Sequence, residues 1–279
     1  MGIACVPTTS KLVFITGASS GIGQALAWRF YQSGYRLALV ARRTADIETW
    51  ANVRQLSADR CQIYNADVID TDAMVRVGQA CLQGQGLPDV VIANAGISIG
   101  IDTACRVDID VMARVFATNN MGMMATFHPF VNGMVHRAAE SGRSLVGANT
   151  GGTLVGIASV AGIRGIPGHG AYCASKAAAI SYCESLRGEL RPLGVRVVTI
   201  CPGYIDTPLT QKNRYSMPFL MQSEDFAQQA FQAIESGASY RVIPWQMGVV
   251  AKLLRWLPNV LFDQVFAGRP RKHRENEES

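Results

Sequence analysis

The sequence predicts an α/β fold: a doubly wound parallel sheet with helices on both faces, three layers in a single domain. Three observations predict it. Short apolar runs alternate with helical patterns along the chain, in the order βαβαβαβαβαβαβ. The runs are apolar throughout rather than at every second position, which marks strands buried on both faces. The 279 residues are 48% hydrophobic and 17% charged, enough apolar surface for a large core, which excludes a disordered chain.

Residues 11–16 (KLVFIT) read as the first strand. Residues 21–33 follow at helical spacing, closed by Gly34, which is free to take the left-handed conformation that ends a helix. Arg36–Ala41 (RLALVA) is the second strand, and about 44–57 the second helix. A short strand at 61–64 precedes a helix over 70–83, and 89–93 (DVVIA) is the fourth strand. One long helical pattern covers about 108–139. Residues 141–152, polar and bearing glycines, read as a loop. The fifth strand is 153–158, followed by a helix over 172–190 that Pro192 and Gly194 stop. The sixth strand is 195–200; a helix over 223–236 and a strand at Tyr240–Ile243 complete the order. Right-handed crossovers wind such a chain into a doubly wound sheet. No Pro-, Gly- or Ser-rich linker divides it. Residues 1–245 therefore read as one domain, with 246–279 its C-terminal amphipathic extension and charged tail.

Net charge is +5 and the pI near 8.9, yet the body holds no basic block. The basic stretch 269–274 (RPRKHR) is followed by Glu275, Glu277 and Glu278, so nucleic acid is not an expected partner. Seven dispersed cysteines (Cys5, Cys61, Cys81, Cys105, Cys173, Cys183, Cys201) lack C-x-x-C or zinc spacing, and read as buried reduced thiols in the cytoplasm. His128, His136 and His169 form no ligand pattern, so no metal is expected. No secretory signal, myristoylation start or membrane-spanning stretch is expected either.

The first strand runs into Thr16-Gly17-Ala18-Ser19-Ser20-Gly21-Ile22-Gly23. Glycines there permit a tight turn and close approach of backbone to a pyrophosphate, while the following helix offers its free N–H groups and positive dipole end. Further motifs follow in order: Asn94-Ala95-Gly96 after the fourth strand; Ser159, 13 residues before Tyr172; Tyr172-Cys173-Ala174-Ser175-Lys176; and Pro202-Gly203 with Thr207 beyond. Over about residues 11–245 this arrangement resembles the short-chain dehydrogenase/reductase family, in its compact NADP-type form. The resemblance implies a Rossmann-type fold, a nicotinamide cofactor, and interconversion of a carbonyl and a secondary alcohol.

An NAD site usually ends its second strand with an acid that bonds the ribose 2′-hydroxyl. Here the strand ends Ala41-Arg42-Arg43, and a guanidinium is the better partner for a 2′-phosphate. NADP is therefore expected over NAD, with Arg42 the first choice of contact and Arg43 the second. By resemblance, Asp67-Val68 touches the adenine. Gly17, Ser19 to Gly23, Asn94 to Gly96, Pro202, Gly203 and Thr207 complete the cofactor set with Tyr172 and Lys176.

Tyr172 and Lys176, four apart, share a helix face. A nearby ammonium and an oxidised nicotinamide favour tyrosinate and lower its pKa, so Tyr172 is the expected general acid and base. The resemblance gives Lys176 the nicotinamide ribose, Ser159 the substrate oxygen, and Asn119 a water that relays protons from Lys176. Asn120 beside it is a decoy. Ala158 departs from the family, where another serine is common, without expected loss of chemistry.

His169 reads either as a solvated loop residue or as a substrate contact. Met217, Phe219, Leu220 and Met221 read either as an apolar substrate wall or as core. Residues 246–267 present Val249, Val250, Leu253, Leu254, Trp256 and Leu257 on one helical face, with Lys252 and Arg255 opposite. That segment is expected to cover the pocket or a subunit partner, with a membrane surface the lesser alternative. Val111, Val115, Met121 and Phe127 on the long helix suggest a homodimer or homotetramer. The competing function is a non-catalytic nucleotide-sensing or scaffold protein, or a peripheral membrane enzyme acting on lipid-like substrates.

Overall fold

β1 (Leu12–Thr16) is buried at all five positions, as a strand covered on both faces must be. The computed structural model describes residues 10–141, 151–211, 213, 216–268, 272, 274 and 275. Cys5, most of the loop predicted over 141–152 and four of the six residues of the basic stretch 269–274 lie outside them. Around β1 are β2 (Arg36–Ala41), β3 (Cys61–Asn65), β4 (Val90–Ala93), β5 (Gly152–Ile157), β6 (Val195–Pro202) and β7 (Tyr240–Ile243). They form one seven-stranded sheet in the order β3-β2-β1-β4-β5-β6-β7, and every pairing is parallel. The winding reverses between β1 and β4, opening a crevice at the strands' C-terminal ends.

Successive strand residues point to opposite faces. Val13, Ile15, Leu37, Leu39, Ile92 and Val198 pack on one side with α1 (Gly21–Gln32) and α7 (Ser223–Glu235). Leu12, Phe14, Val40, Val91 and Leu154 pack on the other with α3 (Thr71–Gly84), α5 (Gly122–Glu140) and α6 (Gly170–Leu190). The two cores are the outer interfaces of a single three-layer α/β domain.

Several boundaries follow local chemistry that the apolar pattern does not carry. α2 (Thr44–Val53) stops short of 57 because Gln55 turns left-handed at φ 53°, and Leu56 N–H reaches back to Ala51 O. The long pattern over 108–139 is broken into α4 (Val107–Phe116), a π-helical turn over Ala117–Met121, and α5. In that turn Gly122 N–H bonds Ala117 O, five residues back. Val111, Val115 and Phe127, read as apolar faces for a partner, are buried within the chain; Met121 is exposed. α8 (Trp245–Trp256) and α9 (Asn259–Phe266) follow β7, joined at Pro258. Among the described residues no helix is long and apolar enough to cross a membrane.

Candidate active site

The crevice is a cleft of about 440 Å³. At one end lies the turn after β1. Gly17 sits at φ 68°, where a side chain would also strike Ala95 Cα at 2.7 Å; a Cβ on Gly23 would stand 2.2 Å from Gly17 O. The turn can therefore close only without side chains at these positions. Ser20 caps α1 without a side-chain bond, and the first turn of α1 carries no acid. Nothing acidic in that turn opposes the helix dipole's attraction for an anion.

Asn94 fastens this turn to β4. Its Nδ2 donates to Thr16 O at 3.0 Å and to Gly17 O at 3.2 Å, while its own N–H donates to Thr16 Oγ1. Ala95, Gly96, Pro202, Gly203 and Thr207 line the same cleft, together with Ser19 to Gly23. Val68 lines it too and packs against Gly122.

Arg42 and Arg43 lie at the cleft's outer end, but each has a carboxylate neighbour. Arg42 Nη1 bonds Asp67 Oδ2 at 3.3 Å, and Arg43 Nε lies 3.0 Å from Asp46 Oδ2. The strand end is thus not free of acid: β3 delivers Asp67 beside it, a neighbour across the sheet that chain order does not reveal. The other oxygen of Asp67 accepts Ile69 N–H at 3.2 Å.

At the inner end, the 3₁₀ turn over Val160–Gly162 places Ser159, whose Oγ accepts Ala161 N–H at 3.1 Å. A Cβ on Gly162 would meet Lys176 C at 2.6 Å, so this turn lies directly on α6. Tyr172 is hydrogen-bonded to Ser159. Lys176 Nζ donates to Ile157 O at 2.8 Å and lies 5.8 Å from the centre of the Tyr172 ring. Ser159, Tyr172 and Lys176 therefore converge on one end of the cleft.

Burial pushes Tyr172 up to about 12, with the Ser159 hydrogen bond pulling the other way. The expected lowering is thus not reached by the chain's own groups, because desolvation of the phenolate outweighs the hydrogen bond. Burial also pushes Lys176 down to about 8.

Asn119 does not line the cleft. Its Oδ1 accepts Ile97 N–H at 2.8 Å, and its Nδ2 donates to Ile97 O and to Ser175 Oγ. Both amide hydrogens are engaged, so the side chain clamps the Gly96–Ile97 wall to α6. Asn120 donates to Ser175 O at 2.8 Å. Ser175, which the sequence reading passed over inside Tyr172–Lys176, is the junction of both asparagines. Its own hydroxyl donates to Tyr172 O.

His169 is buried rather than solvated, and burial lowers its pKa. Met217, Phe219, Leu220 and Met221 do not line the cleft; Ile205 and Thr207 to Thr210 do so instead, and Phe219 and Leu220 are exposed. The C-terminal tail returns to this side of the molecule. Arg274 Nε donates to Asp108 Oδ2 at 2.7 Å, holding that carboxyl below its usual range, and Arg114 pairs with Glu275. Lys272 donates to Asn213 at 3.4 Å. Charge order alone suggests a solvated tail here, and only the fold brings these partners together.

A glycine turn for a dinucleotide and a buried Ser–Tyr–Lys group, joined by one crevice of a doubly wound sheet, define a nucleotide-dependent oxidoreductase. A statistical model of the short chain dehydrogenase family matches residues 11–217. The chain is 35% identical over 253 residues to an uncharacterized oxidoreductase of Myxococcus xanthus (strain DK1622), over 91% of this chain and 95% of that one. A short chain dehydrogenase/reductase from Burkholderia phymatum, in complex with NAD, has the same fold: TM-score 0.76 at 21% identity, over 99% of this chain and 100% of that one. So has a short chain dehydrogenase from Burkholderia cenocepacia J2315 in complex with NADP, with TM-score 0.74 at 20% identity, over 93% and 98%. The chain belongs to the short-chain dehydrogenase/reductase family and is an NAD(P)-dependent oxidoreductase.

The depressed Lys176 pKa has a thermodynamic signature. Between about 8 and 10.5 the folded chain binds fewer protons at Lys176 than the unfolded chain, so its contribution makes stability rise with pH across that window. The raised Tyr172 pKa acts with opposite sign, and only above 10.0. Urea unfolding of wild type and Lys176→Met at both ends of the lysine window should show wild type gaining on the variant as pH rises. A constant difference would contradict the burial of the ammonium.

Proposed function

We propose that the chain is an NADP-dependent oxidoreductase that interconverts a carbonyl and a secondary alcohol on a small, apolar substrate. The observation that carries this reading is the convergence of Ser159, Tyr172 and Lys176 on the cleft that the glycine turn and Arg42 enter from the other end. A turn that closes only because Gly17 and Gly23 carry no side chain, lining the cleft at the start of α1, fits a pyrophosphate. The turn and the N-terminus of α1 would hold it, Asp67 and Val68 the adenine, Arg42 or Arg43 the 2′-phosphate. Asn94 to Gly96, Lys176, Pro202, Gly203 and Thr207 would hold the nicotinamide half. When bound, the nicotinamide supplies or accepts the hydride.

The chain's own residues manage the proton and the oxygen. Ser159 donates to the substrate oxygen and stabilises its developing charge. Tyr172 delivers its hydroxyl proton to that oxygen in reduction, and removes it in oxidation. The Lys176 ammonium orients the ribose and favours tyrosinate. Asn119 fixes the loop behind the reacting centre, and a water beside it carries protons onward from Lys176. Ile97, Ile205 and Leu209 line the cleft and support an apolar substrate. The six described cysteines are all free, which suits a reducing, cytoplasmic setting.

Tyr172→Phe removes the titrating hydroxyl and should lower carbonyl reduction by on the order of 10²–10⁴ or more, with cofactor affinity nearly unchanged. Near wild-type kcat on any substrate that the wild type turns over would exclude the acid–base role, and absence of turnover on a broad panel would favour a nucleotide-sensing scaffold.

Cofactor choice is tested by calorimetry. A charge-assisted hydrogen bond contributes roughly 1.5–3 kcal/mol, so NADP(H) should bind about tenfold to a hundredfold more tightly than NAD(H) at low salt. Arg42→Ala should remove most of that preference and leave NAD(H) affinity nearly unchanged; if Arg43 makes the contact, its alanine variant shows the loss instead. Equal affinity for both cofactors in the wild type would overturn the NADP assignment.

Association through α4, α5 and α6 in a two-fold homo-oligomer is supported by exposed Ile109, Met112, Met121 and Met124 on α4, the π-turn and α5. Light scattering at micromolar concentration should give a dimer or tetramer mass, and Met121→Asp with Met124→Asp should shift it toward the monomer. A monomeric wild type removes this reading.

A further inference from the structure

The most exposed apolar helix of the chain has cations beside it: Lys252 and Arg255 on α8 and Arg164 at the corner with α9, against one acid of the two helices, Asp263.

α8 binds the body through Met247, Gly248 and Ala251. Met247 lies against Gly203 and Gly248 against Val242, so the helix sits on β7 and the turn after β6. Its outward side is apolar as well. Trp245, Val249, Leu253 and Trp256 recur at intervals of three or four and form one stripe, with Trp245 68% and Trp256 81% exposed. Past Pro258, Val260 and Leu261 of α9 are exposed too. Lys252 is three residues from Val249 and four from Trp256, so it borders the stripe. Arg164 fixes the corner between the helices: it donates to Arg255 O at 2.9 Å and Asn259 Oδ1 at 3.0 Å, with its guanidinium 4.3 Å from the centre of the Phe262 ring.

We propose that the outer face of α8 and α9 docks on the surface of an anionic lipid bilayer. Indole rings suit the headgroup boundary, where one edge is apolar and the N–H meets water. Lysine and arginine on the flank are drawn to anionic headgroups, and the apolar stripe enters the acyl boundary without spanning it. A second copy of the chain fits this face less well. Two-fold pairing sets each patch against itself, so Arg164, Lys252 and Arg255 of one copy would confront those of the other, with Asp263 the one acid of α8 and α9 to offset them. None of Trp245, Val249, Leu253 and Trp256 lines the cleft, so the proposal does not depend on the catalytic reading.

The test is flotation of the full-length protein with phosphatidylcholine vesicles, with and without phosphatidylserine, at low and high salt. Wild type should float with the serine-containing vesicles at low salt and much less at high salt, with a blue shift in tryptophan emission. Leu253→Glu with Trp256→Glu should reduce partitioning by about a hundredfold, since two anchoring side chains are lost and two like charges face the bilayer. The milder Trp256→Ser should give a partial loss, and far-ultraviolet dichroism with an unchanged melting temperature establishes that each variant is folded. No flotation of wild type, or equal flotation of wild type and double variant, overturns the proposal. So does a wild-type protein that ignores vesicles but whose oligomer mass falls on Leu253→Glu with Trp256→Glu, since the face would then join two copies of the chain.

Discussion

Nearly everything functional in this protein depends on how the diverging ends of β1 and β4 are held. A doubly wound sheet separates its connections there, because β1 leads away toward β2 while β4 leads toward β5. The gap is an opportunity for a ligand but leaves strand-end carbonyls without sheet partners. Asn94 resolves both, donating to Thr16 O and Gly17 O while leaving the glycine turn exposed to the cleft. An amide with its donors satisfied rigidifies its surroundings. Asn119 and Ser175 repeat the device one layer deeper, tying the Ile97 wall to α6 and so to Tyr172 and Lys176. The two halves of the cleft are thus registered to each other by polar side chains rather than by strand pairing.

That scaffold places a tyrosine and a lysine where burial works against both charged forms. Raising the phenol keeps Tyr172 protonated over a wide pH range, while Lys176, lowered to about 8, still carries its proton at neutral pH. In the proposed reaction, charge brought in with a ligand would add to that of the Lys176 ammonium in favouring tyrosinate.

The fold was legible because parallel strands buried on both faces are written as unbroken apolar runs, and because glycine, asparagine and the tyrosine–lysine pair keep fixed spacings. What sequence order concealed was lateral. α2 ended early through a left-handed Gln55, with no glycine to announce it. The π-turn at Ala117–Met121 interrupts a pattern that remains apolar on both sides of it. The pairing of Arg42 with Asp67 crosses from β2 to the end of β3, and the pairing of Arg274 with Asp108 crosses most of the chain. Met217 to Met221 were readable as apolar but not as facing away from the cleft. Periodicity reports that a side chain is apolar, whereas its neighbour is decided by the packing of elements distant in sequence.

The Arg42–Asp67 pair illustrates how such a lateral neighbour changes an argument without reversing it. The guanidinium is 68% exposed and the carboxylate 29%, so solvent screens their attraction. Exposed pairs of this kind contribute about 0–1 kcal/mol. A charge-assisted bond to a phosphate contributes roughly 1.5–3 kcal/mol, and a dianion attracts a cation more strongly than a carboxylate does. Exchanging Asp67 for a 2′-phosphate would therefore be favourable for Arg42. The exchange leaves Asp67 still accepting from Ile69 N–H, so no buried group is orphaned. A carboxylate so close to the proposed phosphate does repel it, which makes the net preference smaller than an isolated arginine would give. The same carboxylate restrains the arginine in the absence of ligand and so reduces the entropy lost on binding. Affinity and selectivity at this end of the cleft are then set by the difference between two exposed ion pairs, which makes them sensitive to salt in a way that the buried Tyr172–Lys176 end is not.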